Sequence, residues 1–416
     1  GTWFWRARAD GDGRDGVVWQ FEAPHGEHAM SADTAYGLGT DVNGDGLGDA
    51  VIAASDRAAG EANLWIRHGA PRGSPVVSGG VALVPAEAQG RGFVAEADAA
   101  GDVDGDGFVD VVVAAAWTLN AEPVHRLFAL RGSADGLRAP VAVPRSDEGR
   151  FVPKAVAVGD IDGDGYADVV LTRAANRSDA NELYLGGPGG LTRSEGTLGT
   201  AVVVTEGAAD FDGDGRTDLV GADAEGRWFI AQGRAGALPQ WRSEALALHT
   251  GSRVRVLGDA DGDGRSDLVL WYSVEGFHGN GSEVQVSLDP LSGAAPVTVL
   301  MGSLERFVLS SARDGDHDGD GYDDFSFAAE SSFRSNYRQT IWGAARAPTA
   351  PIDGAGTNVL GGLGDADGDG IHDVVRLGIT AGALVVYGAA GDRASTRTDA
   401  FLATLPRRWE LALVAW

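Results

Sequence analysis

The sequence predicts an all-β protein of the β-propeller class, and three observations lead to that prediction. One short acidic string recurs seven times within 416 residues. Runs rich in β-branched and aromatic residues flank each copy, and no window sustains a helical period. Successive copies lie 49 to 61 residues apart, about the length of one four-stranded blade. We therefore expect a single propeller domain over residues 1–416 rather than a β-solenoid, whose period is usually shorter.

Each repeat is predicted to supply four strands. The repeats begin near residues 34, 92, 151, 199, 253, 307 and 358. A short strand-like segment comes before the acidic string, and an apolar run such as Val111-Val112-Val113 follows it. A second run then usually ends in glycine, as Leu127 to Gly132 does, and a more polar fourth segment leads to the next repeat. Four short strands in about 50 residues are typical of a propeller blade.

The two ends of the chain bear on the number of blades. Residues 17–26 resemble the third strand of the first repeat, and residues 409–416 resemble a first strand. The sequence therefore predicts eight blades, the last formed by residues 1–33 together with residues 406–416. Such a closing blade would leave no exposed strand edge. Seven blades with spare terminal strands are the alternative.

The acidic string reads Asp-x-[Asp/Asn]-Gly-Asp-Gly-x-x-Asp and points to a metal ion. Positions 1, 3, 5 and 9 offer side-chain oxygens, and position 7, which varies freely, would offer only its backbone carbonyl. Ca²⁺ takes six to eight oxygen ligands, whereas Mg²⁺ retains waters and demands a strict octahedron. We therefore expect about seven structural Ca²⁺ ions. Their predicted ligands are Asp41, Asn43, Asp45, Leu47 and Asp49; Asp102, Asp104, Asp106, Phe108 and Asp110; Asp160, Asp162, Asp164, Tyr166 and Asp168; Asp210, Asp212, Asp214, Arg216 and Asp218; Asp259, Asp261, Asp263, Arg265 and Asp267; Asp316, Asp318, Asp320, Tyr322 and Asp324; and Asp365, Asp367, Asp369, Ile371 and Asp373.

The string differs from an EF-hand loop. Position 12, where an EF-hand has a bidentate Glu, is Val113 in the second copy and lies in a predicted strand. The ninth-position Asp is expected to be the closing ligand instead. Position 6 is glycine in every copy, which predicts a backbone turn with positive φ. Asp-Gly pairs are also common in metal-free hairpin turns, but four carboxylates packed together without a cation would repel one another strongly.

With these loops and strands, the sequence resembles the FG-GAP/VCBS repeat family, whose calcium-loaded blades also occur in integrin α-subunit propellers. The resemblance covers nearly the whole chain and is carried by strings such as Asp41-Val42-Asn43-Gly44-Asp45-Gly46-Leu47-Gly48-Asp49. The Phe-Gly signature is poorly kept, with Tyr36-Gly37 a near match. The resemblance implies that the acidic loops join the first and second strands on one face. It also implies that ligands meet the loops of the opposite face.

Those opposite loops suggest a recognition role. Candidates are residues 117–120, 276–280 and 332–337, where aromatic side chains lie beside Asn and Arg, a composition suited to a protein or carbohydrate ligand. They fit equally well as ordinary loop anchors packed on the blades. The sequence favours a recognition or adhesion module over an enzyme, because it has no nucleophile elbow or phosphate loop and calcium already claims its paired carboxylates. The alternative is a polysaccharide lyase or glycoside-active enzyme on an eight-bladed calcium propeller.

Composition limits the classes of partner and the cellular location that we expect. A formal charge of −27 argues against nucleic-acid binding, which needs clustered cations. No apolar run approaches 18 residues, so no membrane-spanning helix is expected. The chain has no cysteine, so calcium would replace disulfides as the stabilising cross-link. Because millimolar calcium is an extracellular condition, we expect a secreted or cell-surface protein. His317 and His372, at or beside non-ligand loop positions, are expected to face solvent.

Overall fold

The computed structural model describes most of the repeated part of the chain. The residues described are 2–8, 15–22, 40–56, 61–71, 78–82, 94–119, 122–144, 154–172, 181–199, 202–249, 251–276, 279–302, 305–331, 337–344, 349–354, 359–378, 382–386, 398–402 and 410–413. Within these ranges the regular structure consists of thirty β-strands and no helix. No helix that could cross a membrane is therefore found in the described part.

In chain order the described strands are an N-terminal pair, a group of three, six groups of four and one last strand. The first five are β1 (Thr2–Arg8), β2 (Asp15–Glu22), β3 (Ala50–Asp56), β4 (Glu61–Arg67) and β5 (Ser78–Ala82). The next eight are β6 (Val94–Gly101), β7 (Asp110–Leu119), β8 (Glu122–Leu130), β9 (Val141–Val143), β10 (Lys154–Gly159), β11 (Asp168–Thr172), β12 (Asn181–Leu185) and β13 (Thr192–Arg193). The next eight are β14 (Val202–Ala209), β15 (Asp218–Asp223), β16 (Trp228–Arg234), β17 (Ala237–Trp241), β18 (Arg253–Val256), β19 (Leu268–Gly276), β20 (Gly279–Ser287) and β21 (Val297–Gly302). The last nine are β22 (Glu305–Gly315), β23 (Asp324–Ser331), β24 (Tyr337–Trp342), β25 (Thr349–Gly354), β26 (Val359–Gly364), β27 (Asp373–Gly378), β28 (Gly382–Val386), β29 (Thr398–Leu402) and β30 (Glu410–Leu413).

The described strands form seven four-stranded antiparallel sheets and one two-stranded sheet. We number the four-stranded sheets in chain order: sheet 1 is β30-β3-β4-β5, sheet 2 is β6 to β9, sheet 3 is β10 to β13, sheet 4 is β14 to β17, sheet 5 is β18 to β21, sheet 6 is β22 to β25, and sheet 7 is β26 to β29. Sheets 2 to 7 are meanders in which each strand pairs with the next along the chain. The predicted all-β class and the four strands per repeat are therefore confirmed.

Sheet 1 takes its first strand from the far end of the chain. Leu413 of β30 pairs with Ile52 of β3, while β1 and β2 pair with each other, Trp5 opposite Trp19. This pairing differs from the expected blade of residues 1–33 with 406–416, because β30 occupies the edge of β3 that a preceding strand fills in the other sheets. The boundaries of a closing blade stay a prediction.

Among the described residues, hydrophobic clusters join consecutive sheets from sheet 1 to sheet 6. On β7, Val111 and Val113 pack in a cluster with Leu64 of sheet 1, whereas Val112 packs in a cluster with Val169 of sheet 3. Further clusters join sheets 3 and 4, sheets 4 and 5, and sheets 5 and 6. Because the second strand is covered on both faces, its sequence is a continuous apolar run rather than an alternating one. Each fully buried Val or Leu contributes about 1.5–3 kcal/mol, so the inter-sheet clusters are a major source of stability.

Candidate metal centres

Seven acidic loops precede the second strands of the seven sheets. We call them loop 1 (residues 41–49), loop 2 (102–110), loop 3 (160–168), loop 4 (210–218), loop 5 (259–267), loop 6 (316–324) and loop 7 (365–373), and we number positions 1 to 9 within each. Loops 2 to 7 join the first strand of a sheet directly to the second. Position 12 lies within the second strand in every repeat, as Val113 does in β7, so these loops lack the helices of an EF-hand.

The position 1 carboxylate organises the loop by accepting backbone hydrogen bonds. In loop 2, Asp102 Oδ1 accepts from the N–H groups of Gly105 at 2.7 Å and Asp106 at 3.1 Å, and Oδ2 accepts from Gly107 at 2.8 Å. The same three bonds form in loops 1, 3, 4, 5 and 7. The loop backbone thus wraps around one carboxylate.

The glycines at positions 4 and 6 make this wrapping possible. In all seven loops both have positive φ; in loop 2 the values are 75° for Gly105 and 90° for Gly107. A residue with a Cβ is strained in this region, whereas glycine adopts it freely. The positive φ predicted at position 6 is confirmed. Position 4 has the same requirement, which the sequence already signalled through its invariant glycine.

The position 9 carboxylate ties each loop to its sheet. Asp110 is fully buried; its Oδ2 accepts from Val103 N–H at 3.0 Å, and its Oδ1 accepts from Gly132 N–H, at the end of the third strand, at 2.8 Å. All seven position 9 aspartates accept the bond from position 2. In five loops, a glycine near the end of the third strand supplies the second bond. This aspartate therefore has a structural function in addition to its predicted role as a ligand.

In loops 2, 3 and 5 the position 3 carboxylate carries a buried oxygen without a hydrogen-bond donor. The described residues supply no donor to the Oδ1 atoms of Asp104, Asp162 and Asp261. A buried carboxylate oxygen without a donor is costly, because it has lost its water and gained nothing in exchange. A bound cation would satisfy all three oxygens.

The loops bring several such oxygens together. Oxygen atoms within 4.8 Å of one another come from positions 1, 3 and 9 in loops 2, 3 and 4, and from positions 1, 3 and 5 in loops 5 and 6. The residues are Asp102, Asp104 and Asp110; Asp160, Asp162 and Asp168; Asp210, Asp212 and Asp218; Asp259, Asp261 and Asp263; and Asp316, Asp318 and Asp320. These buried clusters could each hold a metal ion. A set made only of hard carboxylate oxygens fits Ca²⁺ or Mg²⁺ rather than a soft metal.

Position 5 lies at the outer side of each loop. In loop 2, Asp106 is exposed, and its Oδ1 accepts one bond, from Phe108 N–H at 3.2 Å. In loop 1, Asn43 replaces the position 3 aspartate. Its Oδ1 accepts from Asp45 N–H at 3.1 Å, and its Nδ2 donates to Asp45 Oδ2 at 3.0 Å. The amide therefore supplies both an acceptor and a donor where the other loops have a carboxylate.

Burial and neighbouring carboxylates raise the pKa values of several loop aspartates. Burial, together with nearby carboxylates, raises the pKa of Asp102 to about 6 and that of Asp110 to about 8. In loop 3 the same causes raise the pKa of Asp168 to about 8. In loop 5, where Asp289 follows the third strand instead of glycine, Asp267 Oδ1 accepts no hydrogen bond and the pKa of Asp267 is raised to about 10. A divalent ion would stabilise the charged forms of all these groups.

Neighbouring loops are hydrogen-bonded to each other. The position 8 N–H donates to the position 1 carbonyl of the preceding loop, for example Ala167 to Asp102 at 3.0 Å and Val109 to Asp41 at 3.1 Å. Equivalent bonds run from Ser266 to Asp210, Asp323 to Asp259 and His372 to Asp316. Gly48 of loop 1 donates to Asp365 of loop 7 at 2.8 Å, so the first and last loops are also in contact.

The position 7 side chains pack on the preceding loop. A Cβ added to Gly105 would lie 2.5 Å from the ring of Tyr166, and one added to Gly44 would lie 2.7 Å from the ring of Phe108. A Cβ on Gly262 would lie 2.6 Å from the ring of Tyr322. The expectation that only the backbone of position 7 matters was therefore incomplete. The missed signal was the invariant glycine at position 4, which gives these side chains room.

The two loop histidines are buried, so the expectation that they face solvent was wrong. His317 is 3% exposed and His372 is 2% exposed. His372 Nδ1 accepts a hydrogen bond from Asp316 N–H at 2.8 Å, and His317 Nδ1 lies 2.9 Å from the His372 carbonyl oxygen. Both rings fill the contact between loops 6 and 7, which a single repeat does not reveal.

The segments predicted to meet a ligand are described only in part. Trp117 and Thr118 lie within β7, and Trp117 is 4% exposed and packs in the cluster between sheets 1 and 2. It is thus an anchor on the blade rather than an exposed recognition residue. Residues 120, 277–278 and 332–336 lie outside the described residues.

Comparison with known proteins agrees with this architecture. A family model described as an FG-GAP-like repeat matches residues 102–171 and residues 210–270. Each match begins at position 1 of an acidic loop and ends in the second strand of the following sheet. The predicted resemblance to the FG-GAP repeat family is therefore confirmed over these two segments. A search of curated proteins gives no match.

Proposed function

We propose that the acidic loops are calcium sites and that each binds one structural ion. The observation that carries this proposal is the buried Oδ1 of Asp104, Asp162 and Asp261, which lies in a cluster of carboxylates and accepts no hydrogen bond from the described residues. Side chains at positions 1, 3, 5 and 9 and the carbonyl of position 7 would hold the ion. When bound, it would supply positive charge and a cross-link between loop and strand. Seven divalent ions would offset about half of the formal charge of −27.

Calcium suits these loops better than magnesium. Carboxylates from a short, strongly curved loop converge without imposing octahedral geometry, and Ca²⁺ accepts six to eight oxygens in flexible arrangements. Mg²⁺ usually keeps several waters and binds through one or two carboxylates. The crowding of several carboxylates in each loop therefore favours the larger ion.

We further propose that the seven sheets form a closed ring of seven blades. Support comes from the bond between Gly48 N–H and the Asp365 carbonyl, and from a second bond between Ala70 N–H and the Ala366 carbonyl at 2.9 Å. Through these bonds loop 1 follows loop 7 in the same way that loop 2 follows loop 1. The pairing of β30 with β3 gives sheet 1 strands from both ends of the chain. These contacts favour the seven-blade alternative over eight blades, with the β1–β2 hairpin outside the ring.

The function that this scaffold supports best is that of an extracellular recognition or adhesion module. Its calcium-braced loops would form one face, and a protein or carbohydrate ligand would bind at the opposite face. The FG-GAP-like repeat matches and the resemblance to integrin α-subunit blades support this role. A secreted or cell-surface location follows from the proposed calcium sites, because millimolar calcium is available outside the cell.

Two measurements test the proposed function. Anomalous scattering from crystals grown with calcium should locate one ion in each loop, and calorimetry should count the same number in solution. Absence of ions from the loops would overturn the calcium assignment. Binding of the calcium-loaded protein to a glycan array or to purified surface proteins would support recognition. Release of unsaturated products from pectic polysaccharide, detected by new ultraviolet absorbance, would instead indicate a lyase.

A further inference from the structure

One residue near the end of the third strand differs from sheet to sheet, and in sheets 1, 2 and 4 it contacts the acidic loop. It follows the residue that pairs with the start of the second strand, for example Leu130, which pairs with Val111. We call this place the gate position. Among the described residues it is occupied by His68, Arg131, Leu185, Gln232, Leu288 and Trp342 in sheets 1 to 6 respectively. The loops thus share one ligand pattern but have neighbours of different charge.

In sheet 2 the gate residue is a cation in contact with a predicted calcium ligand. Arg131 Nη1 lies 2.7 Å from Asp104 Oδ2, and its Nη2 donates to the Gly189 carbonyl at 2.8 Å. The Asp104 side chain is only 4% exposed, so water screens this ion pair weakly. Two contacts fix the guanidinium beside the loop, while Asp104 Oδ1 still has no donor.

The corresponding contacts in sheets 3 and 4 are uncharged or absent. In sheet 4, Gln232 Nε2 donates to Asp212 Oδ2 at 2.7 Å, so a neutral group replaces the guanidinium. In sheet 3 the gate residue is Leu185, and no basic side chain among the described residues pairs with Asp162. Position 3 therefore meets a cation in sheet 2 and a neutral donor in sheet 4, and in sheet 3 it has no basic partner among the described residues.

We propose that the gate residue sets the calcium affinity of its loop, so that loop 2 binds calcium more weakly than loop 3. This inference rests on the proposed calcium sites. A cation held next to Asp104 repels an incoming divalent ion and already neutralises part of the carboxylate charge that would attract it. In the metal-free protein, the same guanidinium stabilises loop 2 in place of calcium. The ring would then fill its sites over a range of calcium concentrations instead of at one.

Hydrogen exchange measured by mass spectrometry on the full chain can test this loop by loop. The readout is the free calcium concentration at which the amides of residues 102–110 and of residues 160–168 reach half of their calcium-dependent protection. We expect this concentration to be higher for loop 2 than for loop 3 in the wild-type protein. Arg131→Leu should lower it at least about tenfold for loop 2, because a unit charge about 5 Å from a divalent ion repels it by that much even with the full screening of water. Arg131→Gln should lower it less.

A reciprocal variant in sheet 3 keeps the proposal testable even if Arg131→Leu fails to fold. Leu185→Arg should raise the half-protection concentration of loop 3 and leave loop 2 unchanged. Arg193→Leu removes an exposed arginine of sheet 3 whose one ion pair among the described residues is with Glu195, at 3.9 Å, and should shift neither loop. Calcium-dependent protection that is identical in the wild-type protein, Arg131→Leu and Leu185→Arg would overturn the gate proposal alone. If calcium protects no loop of the wild-type protein from exchange, the proposed calcium sites are overturned instead.

Discussion

Asp323 and Asp259 exchange two hydrogen bonds across the contact between loops 6 and 5. Asp323 N–H donates to the Asp259 carbonyl at 3.0 Å, and Asp323 Oδ2 accepts from Asp259 N–H at 2.9 Å. His372 forms the same pair of bonds with Asp316, and Ser266 forms it with Asp210. In these three loops, position 8 therefore pairs with both backbone groups of the preceding position 1.

Replacing Asp323 with alanine should destabilise the contact between loops 5 and 6. The change leaves the buried Asp259 N–H without its acceptor, which costs about 1–3 kcal/mol. Asp323→Asn keeps an oxygen at the same place and should retain most of the stability. Chemical unfolding of the full chain would measure the stability of both Asp323 variants. Asp135→Ala, at an exposed turn, is the control. Equal midpoints for Asp323→Ala and Asp135→Ala would mean that the paired bonds contribute nothing.

The contact between loops 1 and 7 depends on a glycine at the same position 8. A Cβ on Gly48 would lie 1.8 Å from the Leu363 carbonyl oxygen, a distance that backbone atoms cannot tolerate. Gly48→Ala should therefore force loop 1 away from sheet 7 and cost about 1–3 kcal/mol or more. Gly189→Ala, with no atom within 4 Å of the added Cβ, should be close to neutral. If both variants unfold at the same temperature, loop 1 does not pack on sheet 7 and the proposed ring closure fails.

Replacing two different aspartates of loop 2 should have different effects on the free energy of unfolding and on calcium binding. Asp102 accepts three backbone hydrogen bonds, whereas the Asp106 side chain accepts one at the exposed edge of the loop. In chelator, Asp102→Ala should cost about 1–3 kcal/mol and Asp106→Ala less than about 1 kcal/mol. With calcium, Asp106→Ala should lose the ion of loop 2 and leave the other loops loaded, because contacts in a repeat are mostly local. Calorimetric stoichiometry reports the lost ion, and loss of all ions would indicate coupling around the ring.

Much of this architecture follows from the spacing and chemistry of the repeats. The alternation of apolar runs and acidic loops predicts the strands, since each second strand is buried on both faces and each loop must reverse the chain at glycine. Contacts between repeats are different, because residues such as His372, Tyr166 and Trp117 are placed by the neighbouring sheet. A single repeat shows their identity but not what they touch. The pairing of β30 with β3 has the same origin, since a first-strand pattern fits more than one sheet edge.

Removing calcium should lower the melting temperature of the whole chain. An ion at 100 times its Kd stabilises the folded state by about 2.7 kcal/mol, so several sites together would make a large contribution. Magnesium at the same concentration should restore only a small part, because its strict geometry suits these loops poorly. Thermal unfolding in chelator, calcium and magnesium measures this order, and a matched sodium salt controls for ionic strength. A melting temperature that is the same in chelator and in calcium would show that the carboxylates hold their positions through backbone hydrogen bonds alone. Asp102 and Asp110 would then be structural aspartates, and the oxygen of Asp104 would remain without a physical explanation.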